Sequence, residues 1–417
     1  MTQIVASNAT GTMKAKFLFL INYYNDVDHT APLIYRFLQD GHHVSVICLT
    51  QFNLWNDVRI QDFTNFKNFS IHPLRSLPRN KGISNKNTGN VQLFGKIWRE
   101  SFYNVIWATI FLKRWNFDAI IFTWGRPMAK GLQRRIFQAA THLGLPTICI
   151  PHGQNIYINY DVNTDIYDIH RLSGHWPDFS DRNHFTKYVV QTDRHRQQHI
   201  DWGMNPEKVS AWGSLRFDPG WVSKNLSYYT PELFPMISEK TNSLRIVFFL
   251  PHWRYNVDAD KTLKLLKAIL SRSDGYLIIK GHTRGDEVDQ DMQLQLNSYD
   301  NVEINSTCES TPLTGWADVV VNFGSSIALE AIVRNKRIIY PSYLHSNQTI
   351  FDGQGCVEEC KSINEVIDTL DLIQKKKLPA IDESERSKIL GSEVFAGTDG
   401  SNIPQLYANN ILTLLRR

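Results

Sequence analysis

Apolar residues gather in short runs separated by longer amphipathic stretches, and this alternation recurs through both halves of the chain. "KFLFLINYY" from Lys16 reads as a strand, "TAPLIYRFLQDG" as a helix ended by Gly41, and "HVSVICLT" as a second strand. The strand "DAIIFTW" follows from Asp118, then a helix around Gln133–His142 closed by Gly144, then the strands "PTICIPHG", "KYVVQT" and "VSAWG". From Trp221 to Ser243 the periodicity weakens into Asn, Ser, Tyr and Pro, which marks a domain boundary. The second half restarts with the strand "LRIVFFLP", a helix over Asp260–Ser271 and the strand "YLIIKGH". "VEIN", "VVVNFGSSIALEA", "RIIYP", a helix over Ile363–Lys375 and a last helix from Pro404 complete it. Strands that alternate with helices and read as unbroken apolar runs predict parallel sheets covered on both faces. The fold class predicted is α/β, as two doubly wound, Rossmann-like domains facing a cleft. Residues 1–230 form the first, 240–397 the second, and 398–417 a helix packing back on the first.

Two stretches stand apart. "PRNKGISNKNTGN", Pro78 to Asn90, is polar and Gly-containing and predicts a loop. "IWRESFYNVIWATIFLKRW", Ile97 to Trp115, is apolar around most of a helix but is interrupted by Arg99, Glu100 and Asn104. It reads either as a core helix on the sheet or as an interfacial helix at a membrane. The core reading is preferred; three tryptophans with Lys96, Lys113 and Arg114 speak for the interfacial alternative.

Composition narrows the class. With 417 residues, 42% hydrophobic and 21% charged, the chain is globular and long enough for two cores. A net charge of +4 suits anionic substrates or an anionic membrane face and does not call for nucleic acid. No apolar run reaches the ~20 residues needed to cross a bilayer. Met1 to Met13 lacks a signal-like apolar core, and the five cysteines include no Cys-x-x-Cys, so a reducing cytoplasm is expected. Cys356 and Cys360 have the spacing of one helix face, without a nearby His to complete a metal site. His195 and His199 have the i, i+4 spacing of helix ligands, but Arg194 and Arg196 would repel a cation.

The candidate chemistry lies where strands end. After Val319–Val321, Gly324 permits a turn, and Ser325 and Ser326 can cap the helix that follows. A helix start carries free amides and suits an anion, and Glu330 one turn on can meet sugar hydroxyls. An ordinary N-cap would look the same locally. Lys280, His282 and Arg284 cluster at another strand end, where His282 can hold a phosphate or protonate a leaving group, although Asp286 and Glu287 partly offset the charge. Arg254 can contact phosphate beside Trp253, which is either a stacking platform or core. Arg216 follows the strand "VSAWG" and can equally be a structural partner of Asp218. In the first half, His152 and the set Asp26, Asp28 and His29 end strands that face the other domain, and either region can hold a general base.

Together these residues resemble a known architecture. His29–Pro32 before a helix that ends in Gly41-His42 is similar to the first unit of GT-B glycosyltransferases. "PHG" at Pro151, "GSLRFD" at Gly213, "PHWR" at Pro251, "KGH" at Lys280 and "FGSSIALEA" at Phe323 follow in order. That order resembles the branch containing CDP-glycerol glycerophosphotransferases of teichoic acid synthesis and capsule and lipopolysaccharide transferases, including those for Kdo and polysialic acid. It spans roughly residues 16 to 340. The resemblance implies that His282, Ser325 and Ser326 hold the donor's phosphates, that Arg216 and Arg254 sit at the cleft, and that His152 is a base or faces the acceptor. Asn322-Phe323-Gly324 stands where an acidic residue is usual in the glycerophosphotransferases, and Lys280-Gly281-His282 replaces Lys-Pro-His. The donor nucleotide therefore stays open among CMP, CDP, UDP and GDP.

The expected activity is transfer of a sugar from a nucleotide donor to a hydroxyl of a bacterial surface glycan, free or lipid-linked. No metal or cofactor beyond the nucleotide sugar is expected, and the site is placed in the cytoplasm or at the inner face of the plasma membrane. Helix amides, hydroxyls and a His or Arg would carry the leaving group's charge, with His152 or His29 as base. The alternatives are a polyol-phosphate transferase, a UDP-GlcNAc 2-epimerase-like enzyme and a non-catalytic nucleotide-sugar binder. The dense Arg-Glu and Asp-Ser-Gly-Gly patterns that the epimerases carry are absent.

Overall fold

The structure, a computed structural model, describes residues 14–50, 53–74, 104–123, 125–127, 131–158, 172–229, 243–253, 255–281, 290–305, 308–398, 400 and 402–415. The loop expected at Pro78–Asn90 lies outside the described residues.

The first half builds one parallel sheet from β1 (Lys16–Ile21), β2 (His43–Cys48), β3 (Phe69–Ile71), β4 (Ala119–Phe122), β5 (Thr147–Cys149), β6 (Lys187–Val190) and β7 (Val209–Ala211). Their order is β3-β2-β1-β4-β5-β6-β7. The second half repeats the design with β8 (Leu244–Phe249), β9 (Gly275–Lys280), β10 (Val302–Asn305), β11 (Val319–Val321), β12 (Arg337–Pro341) and β13 (Glu358–Cys360), ordered β10-β9-β8-β11-β12-β13. Both orders reverse direction beside the first strand, between β1 and β4 and between β8 and β11. Such reversals open a crevice at the carboxyl ends of the strands, where ligands of α/β sheets bind.

Both faces of the first sheet are covered, which is why its strands read as unbroken apolar runs. Phe17, Phe19 and Ile21 of β1 enter one core, and Leu18 and Leu20 enter the other. The helices are α1 (Tyr24–Gln39), α2 (Val58–Phe63), α3 (Val105–Trp115), α4 (Leu132–His142), α5 (Asp193–Asp201) and α6 (Pro219–Leu226) in the first half. The second half holds α7 (Ala259–Leu270), α8 (Gln290–Leu296), α9 (Ser310–Trp316), α10 (Ile327–Val333), α11 (Ile363–Gln374), α12 (Glu383–Glu393) and α13 (Ile403–Leu415). Helix α13 returns to the first half, where Ile403, Tyr407, Ala408 and Ile411 join the core of α1 and β1. The Tyr407 hydroxyl donates to the Gly213 carbonyl at 2.8 Å.

Several elements differ from the sequence expectation. Helix α1 begins at Tyr24 rather than Thr30, so Asp26, Asp28 and His29 stand in a helix and not in a loop. Pro32 lies inside it, where the ring lacks an N–H for the ladder and crowds the carbonyl one turn earlier. The stretch taken as a boundary hides α6, which Asp218 caps by accepting from Trp221 N at 2.9 Å. Helix α3 starts behind Asn104, whose side chain caps it, and residues 97–103 lie outside the described residues. It buries Ala108 and Leu112 and leaves Ile106 and Ile110 70% and 60% exposed. Cys360 ends β13 and Cys356 precedes that strand, so the two do not share a helix face.

The halves are tied together. Tyr157, after β5, pairs antiparallel with Thr349, and Ile158 N donates to the Gln348 carbonyl at 2.9 Å. Gln154 Nε2 donates to the Glu393 carbonyl at 2.6 Å, and Asn225 Nδ2 to Thr311 Oγ1 at 3.0 Å.

Candidate functional site

The two crevices face one another and enclose a cleft of about 970 Å3. Its first wall begins at the end of β1. The Asp26 carboxylate accepts from Asn22 N at 2.7 Å and Tyr23 N at 3.1 Å, which fixes the entry into α1. One turn of helix then sends Asp28 and His29 towards the cleft, which both line.

Asp28 is gripped from two sides. Arg59 Nη1 donates to Oδ1 at 2.6 Å, and Arg216 Nη1 pairs with Oδ2 at 2.9 Å. Burial pushes the Asp28 carboxyl up, but Arg216 and then Arg59 more than offset it and hold it below the usual carboxylate range. Arg59 is 1% exposed and also forks onto Asp57, with Nε and Nη2 at 3.0 and 2.6 Å. Arg216 thus has a structural partner, which is Asp28 and not Asp218. His29 is buried. Burial first and Arg216 next push its imidazole down to about 3, with His152 close enough to add to the effect. His29 is therefore neutral. His152, at the end of β5, lines the same wall.

The second wall comes from β9, β11 and their loops. Lys280 ends β9, is buried, and donates from Nζ to the Gly281 carbonyl at 3.2 Å. Burial lowers its ammonium pKa, and Cys308 and Glu309 oppose that. Glu309, the N-cap of α9, reaches the cleft opposite Asp28. Burial raises its carboxyl, and Asp28 across the cleft adds to the rise, while Arg59 and a bond with Tyr24 oppose it.

Gly324, Ser325 and Ser326 line the cleft as expected, but for altered reasons. A Cβ on Gly324 would meet Pro251 Cβ at 2.6 Å and the Tyr157 hydroxyl at 3.0 Å. The glycine is needed where β8 and β11 part, and Tyr157 donates to its carbonyl at 2.9 Å. The amides are not all free: Asn322 Oδ1 accepts from Gly324 N at 3.3 Å and Ser325 N at 3.1 Å. Ser325 Oγ accepts from Ile327 N at 3.4 Å. Among the described residues nothing occupies the Ser326 N–H or hydroxyl, so Ser326 is the open position of the turn. Glu330 does not line the cleft. It is buried behind it, taking Arg334 Nε and Thr311 Oγ1 at 3.2 Å each. Arg254 and His282 lie outside the described residues.

Three Asp-x-Asp triplets occur, at Asp26/Asp28, Asp258/Asp260 and Asp289/Asp291. Asp26 and Asp28 are engaged as above, Asp258 caps α7, and Asp289 lies outside the described residues. His195 and His199 do lie on one helix, but His195 is buried, His199 partly so, and each is hydrogen-bonded within the fold. Among the described residues no group of three or more His, Cys, Asp or Glu is placed to hold a metal.

No protein-family model matches the chain, and no curated protein matches it. Solved structures do. A UDP-GlcNAc 2-epimerase from Neisseria meningitidis bound to UDP-GlcNAc aligns over 95% of this chain and 100% of its own, with a TM-score of 0.59 and 14% identity. The chain has the GT-B fold. A putative UDP-N-acetylglucosamine 2-epimerase from Listeria monocytogenes has the same two-domain GT-B design (97% and 98% covered, TM-score 0.60, 11% identity). So does a glycosyltransferase from Rickettsia africae ESF-5 (97% and 100% covered, TM-score 0.56, 12% identity). None of these three is described as a glycerophosphotransferase or a Kdo transferase.

The cleft also holds residues that sequence reasoning passed over: Arg59, Tyr24, Glu309, Tyr157 and Arg182. Arg59 gave no signal, because its partner Asp28 is 31 positions away. Glu309 was legible in principle, as an acidic residue directly before the Ser-Thr-Pro start of a helix.

Proposed function

We propose that this GT-B chain binds a nucleotide-linked sugar in the interdomain cleft and breaks the bond between its anomeric carbon and the phosphate. The observation that carries this reading is the meeting of two crevices with different chemistry. Arg216, Lys280 and the open Ser326 supply positive charge and donors for a departing phosphate. Neutral His29 with His152 on one wall and Glu309 on the other supply acid–base groups on opposite sides of the space between. A volume of about 970 Å3 is at the upper end of the ~300–1,000 Å3 range for small-molecule sites. UDP-GlcNAc, named for the Neisseria neighbour, is the first donor to try.

Two reactions start with that bond. The fold comparison supports 2-epimerisation at least as well as transfer. Nothing acidifies a sugar's C2 proton, so its removal must accompany loss of the phosphate. The epimer forms when the phosphate oxygen re-forms its bond to C1 as a proton returns to the other face of C2, which needs a second group across the ring, and His29 or His152 with Glu309 fits that need. Glycosyl transfer is the second reading. It is favoured by the order of strand-end motifs and by a cleft that continues past His152 along the first wall, leaving room for an acceptor hydroxyl. A surface glycan as acceptor belongs to this reading. So does contact of α3 with a membrane face, through Ile106 and Ile110 beside Lys113 and Arg114. Among the described residues no helix is long and apolar enough to cross a membrane.

Incubation with UDP-GlcNAc, CMP-, CDP- and GDP-linked donors, with and without lipid-linked acceptors, tests the proposal. Conversion to an epimer without acceptor supports the first reading, and nucleotide release that requires acceptor supports the second. Absence of both binding and turnover with every donor overturns the proposal.

A further inference from the structure

The first wall carries an arginine whose charge has no counterpart. Arg182 lies just before β6 and lines the cleft with Phe179, Tyr188, His199, Trp202 and Arg126. Its guanidinium carbon sits 3.2 Å from the centre of the Phe179 ring. Its Nη1 donates to the Tyr188 hydroxyl at 3.0 Å and meets His199 Nε2 at 2.9 Å. His199 Nδ1 bonds the His195 carbonyl at 2.7 Å, so Nδ1 carries the proton and Nε2 accepts from Arg182. The His199 imidazole is held down to about 4 by burial and then by Arg182 itself. Every group that braces Arg182 is therefore neutral.

Arg59 and Arg216, deeper in the cleft network, differ. Arg59 has Asp57 and Asp28, and Arg216 has Asp28. Among the described residues Arg182 has no ion pair, not even with Asp181 beside it. Its Nε is buried without a partner, while Nη2 has no protein acceptor and is not sealed off. The pocket around it is built: a Cβ on Gly125 would come within 2.3 Å of the Tyr188 hydroxyl, so only glycine admits the ring that orients Arg182. Arg126, the next residue, adds a second exposed cation to the same arm.

We propose that this arm binds an anionic group, a carboxylate or a phosphate monoester, carried by a second ligand that sits beside the nucleotide sugar. Arg182 Nη2 is the principal donor and Arg126 the second cation. Planar guanidinium groups favour such oxygens, and a partly desolvated one lacking an acid gains most from them. The inference rests on the reading that the cleft holds a nucleotide sugar, goes beyond the reaction proposed above, and holds for either reaction.

Calorimetric titration of the whole chain saturated with UDP tests it, using glucuronate, glucose 6-phosphate and glucose as probes. At least one of the two acids should bind roughly tenfold or more tighter than glucose, and the stronger one identifies the group as carboxylate or phosphate. Arg182→Gln should remove that preference and Arg182→Lys should keep part of it, with UDP affinity unchanged in both. Arg182 braces Tyr188 and His199, so Arg126→Gln, at an exposed position, repeats the test without risk to folding and should weaken the acid severalfold. Acids that bind no better than glucose, a preference that survives both Arg182→Gln and Arg126→Gln, or acids that bind only when UDP is left out overturn the proposal. Loss of UDP binding itself would instead count against the nucleotide-sugar reading.

Discussion

Arg216 and Asp28 meet at 2.9 Å, joining the loop after β7 to the first turns of α1. The other Asp28 oxygen is held by Arg59 at 2.6 Å, and Arg59 is held in turn by Asp57. The chain of charges ends in the cleft, where Arg216 is the member with solvent access. One end of this network supports the fold and the other is free to meet a ligand, and the two roles are separable by mutation.

Replacing Arg59 by Met strips buried Asp57 of its ion pair and leaves Asp28 with Arg216 alone. Removing one member of a buried pair costs about 3 kcal/mol, so Arg59→Met should lower the urea midpoint strongly. Arg216→Gln removes one of Asp28's two partners and leaves Arg59 in place, so it should cost less than Arg59→Met. The order should reverse in binding: Arg216→Gln should weaken UDP about tenfold or more, the value of a charge-assisted contact to phosphate.

Gly324 has no room for a side chain, with Pro251 Cβ 2.6 Å from the position a Cβ would take. Gly324→Ala should cost about 1–3 kcal/mol through overpacking. Tyr157→Phe removes one hydrogen bond between the halves and should cost about 1 kcal/mol. Differential scanning calorimetry of both variants checks this order.

His29, His195 and His199 are held at about 3, about 3 and about 4, chiefly by burial. An unfolded histidine titrates near 6.5. Between those values the unfolded chain binds more protons, so each imidazole lowers stability as pH falls below about 6.5, levelling off at its folded value. One such group is worth about 2 kcal/mol between about pH 7 and about pH 5. Glu309, Glu330 and Glu393, raised by burial, act in the opposite sense, so comparison of a variant with the parent chain isolates the histidine. His195→Gln should have a stability–pH slope shallower by about 0.7 proton on average over that interval, read from urea unfolding at several pH values.

Glu309 is expected to exchange a proton with the substrate. Glu309→Gln should reduce turnover about a hundredfold or more while UDP affinity stays within about threefold. A matching loss of UDP binding would make Glu309 a binding or architectural residue instead.

The sheets were legible because buried parallel strands are local signals: "FLFLI", "AIIF" and "VVV" need no partner to be recognised. The start of α1 was not, because Asn25, Asp26 and Asp28 look like loop residues until Arg59 and Arg216 neutralise Asp28 from elsewhere in the chain. The same holds for Glu330. Its spacing after Ser326 placed it on the helix correctly, but Arg334 and Thr311, which turn it inward, are tertiary neighbours. Strand ends could be read from sequence; which of their side chains are already engaged by the protein could not.

The central claim is that the cleft between the two sheets holds a nucleotide. A crystal structure of the chain soaked with UDP tests it most directly. The diphosphate should lie within about 3 Å of the Ser326 N–H or hydroxyl and within reach of Arg216. UDP bound outside the cleft, or within it but away from both residues, would contradict the account.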